Sequence, residues 1–326
     1  MNRRQHLRHL LATPIAAPML LGAGPAAAQA GPVRVFVGFP AGGLPDAVAR
    51  SLAPAVGALM GSPAVVENRP GANGRLAAQA VRAAAPDGRT LLVCPASAMV
   101  HLPHVYKDLG YDPFTDFAPV AQLVENAFAF AISGKLPARN LAEWAAWCRD
   151  HPAQATFGSP GQGSSPHFMG VTLARGLGVA MSHIPYRGNN FTLTDVSGGH
   201  ISGMVSTTGQ LLAPHKAGQL RILGVTSPKR LPELPEVPTF AEQGVPALTL
   251  TEGTWAFAPA RTPPAVLERL GEVVLGALKQ REIATALETQ ADIAPLGPAA
   301  LAARLRRDFD ERGAGIRAAG FTAGQG

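Results

Sequence analysis

Two glycine-rich segments that stand just before predicted helices are the strongest candidates for chemistry in this sequence. Gly42-Gly43 precedes Asp46 and a helix predicted over 46–60, and Gly163-Ser164-Ser165 precedes a helix predicted over 165–177. The first N–H groups of a helix lack partners and the helix dipole concentrates positive charge there, so an anion can bind at such a start. Glycine also lets the backbone approach a ligand closely. The pattern is compatible with reversible binding of an anion such as a carboxylate.

The side chains around these segments divide into expected ligand contacts and structural groups. Asp46 is itself anionic, and we expect it to cap the helix or to order loop donors or water. One of Ser164 and Ser165 is expected to cap its helix, and either hydroxyl can also donate to a ligand. Hydroxyls after predicted strands complete the set, because α/β folds bind ligands where strands end. The predicted ligand-binding residues are Phe39, Gly42, Gly43, Asp46, Ser97, Gly163, Ser164, Ser165, Tyr186, Asn189, Thr207 and Thr208.

Sequence motifs of enzymes and metal sites are missing from the 326 residues. There is no GxSxG, GxxxxGK[ST], HExxH or GxGxxG segment. His101 and His104 are three residues apart, but Leu102-Pro103 separates them and no acidic or sulfur partner adjoins them. We therefore expect no catalytic residues, no cofactor and no metal. A secreted hydrolase remains the enzymatic alternative, which turnover of a bound ester or amide would reveal.

The first thirty residues are typical of an export signal. A basic stretch at 2–8 precedes an apolar stretch at 10–24 and the small-x-small sequence Ala28-Gln29-Ala30. The pair Arg3-Arg4 suits a twin-arginine signal, and the basic residues equally suit the ordinary secretion route. Cys94 and Cys148 lie far from the cleavage site and are expected to be buried and unpaired, so no lipid anchor is expected.

Charge argues against nucleic acid as a partner. Of 28 basic residues, three leave with the signal, and the remaining 25 face 22 acidic residues without forming a run. Hydrophobic residues make up 47% and charged residues 15% of the chain, as in a compact folded protein. The small positive balance is compatible with an anionic ligand.

Predicted strands and helices alternate along the mature chain. Short apolar strands at 33–39, 64–67 and 90–94 are separated by helical patterns, which indicates α/β lobes with mainly parallel sheets flanked by helices. We expect a signal peptide at 1–30, lobe one at 31–128 plus 254–326, and lobe two at 129–253. Hinge strands at 124–133 and 249–258 would join the lobes and permit them to close on a ligand.

Several segments in order carry a resemblance to a known family. The chain from about residue 33 onward resembles the Bug-type receptors of tripartite tricarboxylate transporters through these segments: Phe39-Pro40-Ala41-Gly42-Gly43, Val66-Glu67-Asn68-Arg69-Pro70-Gly71-Ala72-Asn73-Gly74, Pro86-Asp87-Gly88, Ser159-Pro160-Gly161-Gln162-Gly163-Ser164-Ser165, Ile184-Pro185-Tyr186-Arg187-Gly188 and Gly218-Gln219-Leu220. The sequence departs from the family pattern at Leu44 and at Asn189-Asn190-Phe191, which leaves the ligand's identity open.

The resemblance implies a periplasmic receptor with a two-lobed, type II-like binding fold joined by a two-strand hinge. Loops of both lobes would hold a small carboxylate, and membrane transporter subunits would be the partners that receive it. A sensor or adaptor that presents the same ligand to a signalling partner is the alternative. A monomer is the default expectation for a receptor that closes by bending.

Overall fold

The computed structural model describes residues 31–318, which fold into strands and helices that alternate over most of their length. The strands are β1 (Val33–Val37), β2 (Ala64–Asn68), β3 (Thr90–Pro95), β4 (Phe117–Asn126), β5 (Phe128–Ser133), β6 (Thr156–Ser159), β7 (Ser182–Pro185), β8 (Gly203–Thr207), β9 (Leu220–Val225), β10 (Glu252–Pro259) and β11 (Asp292–Leu296). The helices are α1 (Leu44–Leu59), α2 (Arg75–Arg82), α3 (Ser97–Val100), α4 (Leu102–Val105), α5 (Leu141–Asp150), α6 (Ser165–Gly176), α7 (Asn189–Gly198), α8 (Thr208–Lys216), α9 (Pro264–Leu278), α10 (Arg281–Glu288) and α11 (Pro298–Ala318).

The strands form two separate sheets. A six-stranded sheet has the order β11-β4-β10-β3-β1-β2, and a five-stranded sheet has the order β7-β6-β8-β5-β9. We call the first sheet with α1–α4 and α9–α11 lobe one, and the second sheet with α5–α8 and residues 226–251 lobe two. The two-lobed α/β fold expected from the sequence is confirmed.

The chain passes between the sheets in two places. At the first passage only Ala127 separates β4 of lobe one from β5 of lobe two. At the second, the chain leaves β9 at Val225 and re-enters lobe one at Glu252, the first residue of β10. The predicted hinge strands thus lie beside these passages, and the bending motion itself stays a prediction.

Both sheets are mixed instead of mainly parallel. β1 pairs in parallel with β2 and β3, whereas β10 is antiparallel to β3 and β4. In lobe two, β6 is parallel to β7 and β8, whereas β5 is antiparallel to β8 and β9. The chain reaches β5 and β10 directly from the other lobe, without the helical crossover that makes consecutive strands parallel. Apolar periodicity carries no information on strand direction, so the sequence could not reveal this.

Helices cover both faces of the six-stranded sheet because its strands are apolar on both sides. In β1, Val35 joins a core cluster with Leu52 of α1, while its neighbour Phe36 joins the opposite cluster with Leu301 of α11. Successive side chains of a strand point to opposite faces, which explains the division. Cys94 and Cys148 are buried and free, as predicted.

The described residues contain no helix that is both long and apolar enough to cross a membrane. The export signal predicted at 1–30 lies outside the described residues, as does the end of the chain beyond residue 318.

Candidate ligand-binding site between the lobes

A cavity between the lobes is lined by residues of both. Its volume is about 70 Å³. Lobe one contributes Phe39, Pro40, Gly43, Leu44, Pro45, Pro95, Ser97, Asn126, Glu252 and Thr254, and lobe two contributes Phe128, Pro160, Ser164, Pro166, Gly188, Asn189, Asn190, Phe191 and Thr207. The lining combines apolar rings with backbone and hydroxyl groups at helix starts, which suits a small ligand with a polar head.

The start of α1 reaches the cavity through Gly43 and Leu44. Gly43 is the N-cap in an extended conformation, and Gly42 before it has a φ of 90°, which a side chain would strain. Asp46 orders this loop from inside: its carboxylate accepts from Gly42 N–H at 2.9 Å and from Arg50 Nε at 3.0 Å. Burial alone would raise the pKa of Asp46, but the hydrogen bonds from Arg50, Gly42 and Asn68 outweigh it and hold the pKa below its usual value.

The start of α6 places its two serines on different sides. Ser164 caps the helix, because its Oγ accepts from the His167 N–H, and it donates to the Gly161 carbonyl at 2.7 Å. Ser165 Oγ instead donates to Glu252 Oε1 at 2.9 Å and lies 3.2 Å from His101 Nδ1. Ser164 lines the cavity, whereas Ser165 is not part of the lining and links lobe two to lobe one through its hydrogen bond to Glu252.

A third helix start, that of α7, also lines the cavity. Its N-cap is Gly188, with a φ of 135°, followed by Asn189. Asn189 Nδ2 donates to Gln210 Oε1 at 2.7 Å, and that oxygen also accepts from Ser206 Oγ at 2.9 Å. Among residues 31–318, the buried Asn189 Oδ1 has no hydrogen-bond partner.

Glu252 is the ionisable residue of the lining. Its side chain is buried at the first position of β10, where Oε1 accepts from Ser97 N–H at 2.7 Å as well as from Ser165. Burial raises the pKa of Glu252, although these hydrogen bonds and the field of Arg312 act in the opposite direction. No Lys, Arg or His belongs to the lining within the described chain. A bound anion would therefore be held by backbone and neutral side-chain donors.

The lobes touch each other around the cavity. Asn73 Nδ2 and Tyr106 Oη of lobe one donate to the Gln162 carbonyl of lobe two at 3.1 and 3.2 Å. From lobe two, Asn190 Nδ2 donates to the Ala41 carbonyl at 3.3 Å, and Gln210 Nε2 to the Gly42 carbonyl at 3.4 Å. The structure thus shows a closed arrangement of the two lobes.

Residues 48–311 match a family model described as the tripartite tricarboxylate transporter family receptor. The chain belongs to this receptor family. A relative from Cupriavidus necator, the UPF0065 protein in gbd 5'region, is 34% identical over 276 residues that cover 83% of both chains. The structure of the periplasmic binding protein BugD superimposes with a TM-score of 0.85 at 29% identity, covering 90% of this chain and 98% of BugD. An R. palustris protein solved with adipate has a TM-score of 0.85 at 27% identity, with coverage of 90% and 99%.

The resemblance drawn from the ordered segments is thereby confirmed. The family consists of receptors, and its structural neighbour BugD is described as a periplasmic binding protein. The closed two-lobed arrangement of this receptor is the one in which such a fold encloses its ligand.

The receptor brings half of the predicted ligand-binding residues to the cavity. Those that line it are Phe39, Gly43, Ser97, Ser164, Asn189 and Thr207. Those that do not line it are Gly42, Asp46, Gly163, Ser165, Tyr186 and Thr208. Several of the latter support the site: Tyr186 Oη donates to Asp195 Oδ2 at 2.6 Å, and Thr208 Oγ1 to the Ala127 carbonyl at 3.4 Å. Whether the lining residues contact a ligand stays a prediction.

Sequence reasoning missed several lining residues of the receptor. Asn126 and Phe128 flank the single residue of the first passage, and a passage between lobes gives no local signal in the sequence. Leu44 and Asn190 stand out in the sequence only as departures from the family pattern. One signal in the sequence could have pointed to Glu252: it is an acidic residue within a predicted hinge strand. An unpaired charge is costly at such a position and therefore suggests a functional role.

Three histidines of the receptor lie near the α6 start: His101 and His167 are buried, and His183 is partly buried. His167 and His183 stack with ring centroids 3.9 Å apart, and Ser159 Oγ lies 2.8 Å from His183 Nε2. Gly163 N–H donates to His167 Nδ1 at 3.1 Å, so that nitrogen must be unprotonated. Burial lowers the pKa of His183 and His101 to about 3 and that of His167 to about 4.

These histidines should make the receptor sensitive to mild acid. Their unfolded pKa is about 6.5, so below that pH the unfolded chain binds more protons than the folded one. The stability that depends on keeping these histidines neutral is fully present above pH 6.5. Below that pH, toward pH 4, each histidine lowers the free energy of unfolding by up to about 1.4 kcal/mol per pH unit. We expect Tm to fall steeply between pH 6.5 and 4, as followed by thermal denaturation.

A comparison of two variants separates the loss of stability caused by protonation of these histidines from the loss caused by protonation of carboxylates. His183→Gln should flatten the profile over this pH range, whereas the exposed His200→Gln should leave it unchanged. A profile for His183→Gln as steep as that of the wild type would contradict the assignment.

Proposed function

We propose that this protein is a periplasmic receptor that captures a small carboxylate between its lobes and delivers it to the membrane subunits of a tripartite tricarboxylate transporter. The observation that carries the proposal is a cavity bordered by the starts of α1, α6 and α7, with no cationic side chain in its described lining. Helix starts attract an anion through N–H groups and dipoles without a fixed charge, which suits a ligand that must also be released. The adipate complex of a structural neighbour supports this class of ligand.

The rest of the proposal concerns location and partners. Residues 1–30 direct export by the twin-arginine or the general route, and the mature receptor acts as a monomer that closes by bending at the two passages. It releases its ligand chemically unchanged. A bound ester or amide should therefore be recovered intact after long incubation.

The direct test is a thermal-shift screen of the purified mature protein. A panel of mono-, di- and tricarboxylates, including aromatic acids and amino acids, should contain members that raise Tm. A ligand at a hundredfold excess over its Kd stabilises the folded state by about 2.7 kcal/mol, which corresponds to several degrees. Amides of the same acids serve as controls. If no acid in the panel shifts Tm or gives heat in calorimetry, the carboxylate assignment fails.

A variant that fills the cavity sharpens the test. Gly43 lines the cavity with an ordinary negative φ, and a Cβ built there finds no atom closer than Pro45 Cδ at 4.0 Å. Gly43→Leu should therefore fold normally and lose the ligand-induced rise in Tm. The matched control is Gly276→Leu, on the exposed face of α9 with open space around it. An undiminished shift in Gly43→Leu would place the ligand outside this cavity.

A further inference from the structure

Glu252 is an acidic side chain in a cavity whose described lining contains no cationic side chain. The residue lies between the lobes, with Oε1 held by Ser97 N–H of lobe one and Ser165 Oγ of lobe two. Neither donor is charged, and in the described chain no salt bridge joins Glu252 to a cation. Ionisation of a buried carboxyl group with neutral partners alone is costly, and a positive group on a ligand would offset that cost.

The cations nearest to Glu252 do not meet this need. Arg304 and Arg312 line a separate small cavity behind Glu252. Arg304 is occupied by Glu125 at 2.8 Å and Asp308 at 3.0 Å. Arg312 acts on Glu252 through its field, without an ion pair. The ligand cavity in front of Glu252 is therefore where a compensating positive group fits.

Asn189 supplies a second, independent sign of a donor-bearing ligand. Its amide orientation follows from the contact with Gln210, because Gln210 Oε1 already accepts from Ser206 and requires Nδ2 of Asn189 on that side. Asn189 Oδ1 then remains a buried acceptor without a partner among residues 31–318, on a residue that lines the cavity. A buried acceptor left unpaired is unfavourable, and a donor on a ligand would remove that cost.

The remaining walls are apolar. Phe39 and Leu44 on one lobe and Phe128 and Phe191 on the other line the same cavity, together with prolines of both lobes. The cavity is therefore bordered by helix starts, by Glu252 and Asn189, which can accept hydrogen bonds, and by rings that suit a hydrocarbon body.

We propose that Glu252 makes this receptor select a zwitterionic ligand, an apolar amino acid whose carboxylate lies at the helix starts and whose ammonium group contacts Glu252. The proposal rests on the proposed function for the carboxylate and adds the ammonium and the apolar side chain. A second carboxylate beside Glu252 would meet like charge, so di- and tricarboxylates are disfavoured.

Isothermal titration calorimetry of the mature protein at pH 7.5 tests the proposal with matched ligands. L-phenylalanine and L-leucine are compared with 3-phenylpropanoate and 4-methylpentanoate, which lack only the ammonium group, and with adipate and phenethylamine. We expect the amino acids to bind at least tenfold more tightly than the acids without ammonium, and adipate and phenethylamine to bind more weakly still.

Glu252→Gln tests the residue itself. Its amide oxygen can still accept from Ser97 and Ser165, but the charge is gone, so the advantage of the amino acid over its partner acid should fall at least tenfold. Glu272→Gln, an exposed change on α9, should keep the wild-type preference. If Glu252→Gln folds poorly, the comparison of ligands on the wild type still decides the matter.

The outcomes separate the two proposals. If 3-phenylpropanoate or adipate binds the wild type as tightly as the amino acids, or if Glu252→Gln keeps the full preference, the zwitterion inference is overturned while the carboxylate receptor stands. If phenethylamine binds as tightly as phenylalanine, or no acid of either kind binds, the proposed function fails as well.

Discussion

Replacing Arg304 with alanine is expected to lower the free energy of unfolding by about 3–5 kcal/mol, because it leaves partly buried carboxylates without their cation. Arg304 of α11 contacts Glu125 at 2.8 Å, Asp308 at 3.0 Å and Gln122 Oε1 at 2.7 Å. The hydrogen bonds from Arg304 hold the pKa of Glu125 below its usual value, although burial acts to raise it. Thr251 Oγ1, just before β10, also donates to Glu125 of β4. The guanidinium of Arg304 therefore stabilises a network that includes the end of β4 at the first passage and the residue before β10 at the second. Urea denaturation measures the loss.

The matched control for this variant lies on the same helix. Arg307 contacts Asp308 at 3.1 Å, but its side chain is 59% exposed, and Arg307→Ala should change stability by less than about 0.5 kcal/mol. Arg304→Lys, which keeps charge but loses the forked geometry, should fall between the two. A loss below 1 kcal/mol in Arg304→Ala would mean that the network contributes little to folding.

Gly209→Ala should weaken ligand binding at least tenfold without touching the ligand. Gly209 of α8 in lobe two faces lobe one so closely that a Cβ would lie 2.5 Å from Gln290 Cα and 2.7 Å from the Thr289 carbonyl oxygen. Both are backbone atoms, so the lobes must separate. If the closed state becomes tenfold rarer, the apparent Kd rises by the same factor. Calorimetry measures Kd, and small-angle scattering should show a larger radius of gyration with ligand present.

Gly276→Ala is the control for Gly209→Ala, since it adds the same methyl group to a helix where nothing lies within 4 Å. It should keep wild-type affinity and scattering. Wild-type affinity in Gly209→Ala would show that ligand capture does not require the close approach of α8 to lobe one.

The sequence was most informative where local chemistry decides the structure. The α1 start follows from Gly42-Gly43 and Asp46, because a positive φ, a helix cap and an anion-binding loop are properties of neighbouring residues. The same holds for the α6 start, where Ser164 caps the helix. The α7 start at Gly188 is a third border of the site, which the sequence did not predict.

The rest of the site depends on contacts between distant residues. Glu252 meets Ser97 across 155 positions and Ser165 across 87, and nothing near any of the three indicates the others. For the same reason the sequence could not tell which serine faces the cavity, or that β5 and β10 run antiparallel to their neighbours. These features arise only when two lobes assemble around two passages.

The place of β10 in the six-stranded sheet bears on the order in which the protein can fold. β10 lies between β3 and β4, although it follows them by more than a hundred residues. Until residues 252–259 arrive, β1–β3 and β4 are two unjoined pieces, whereas the five strands of lobe two lie within 128–225 and can assemble first. Long-range pairing of this kind slows folding. We expect pulse-labelled hydrogen exchange to protect lobe two early and β3 late, so that the newly made chain stays open until most of its length has been synthesised.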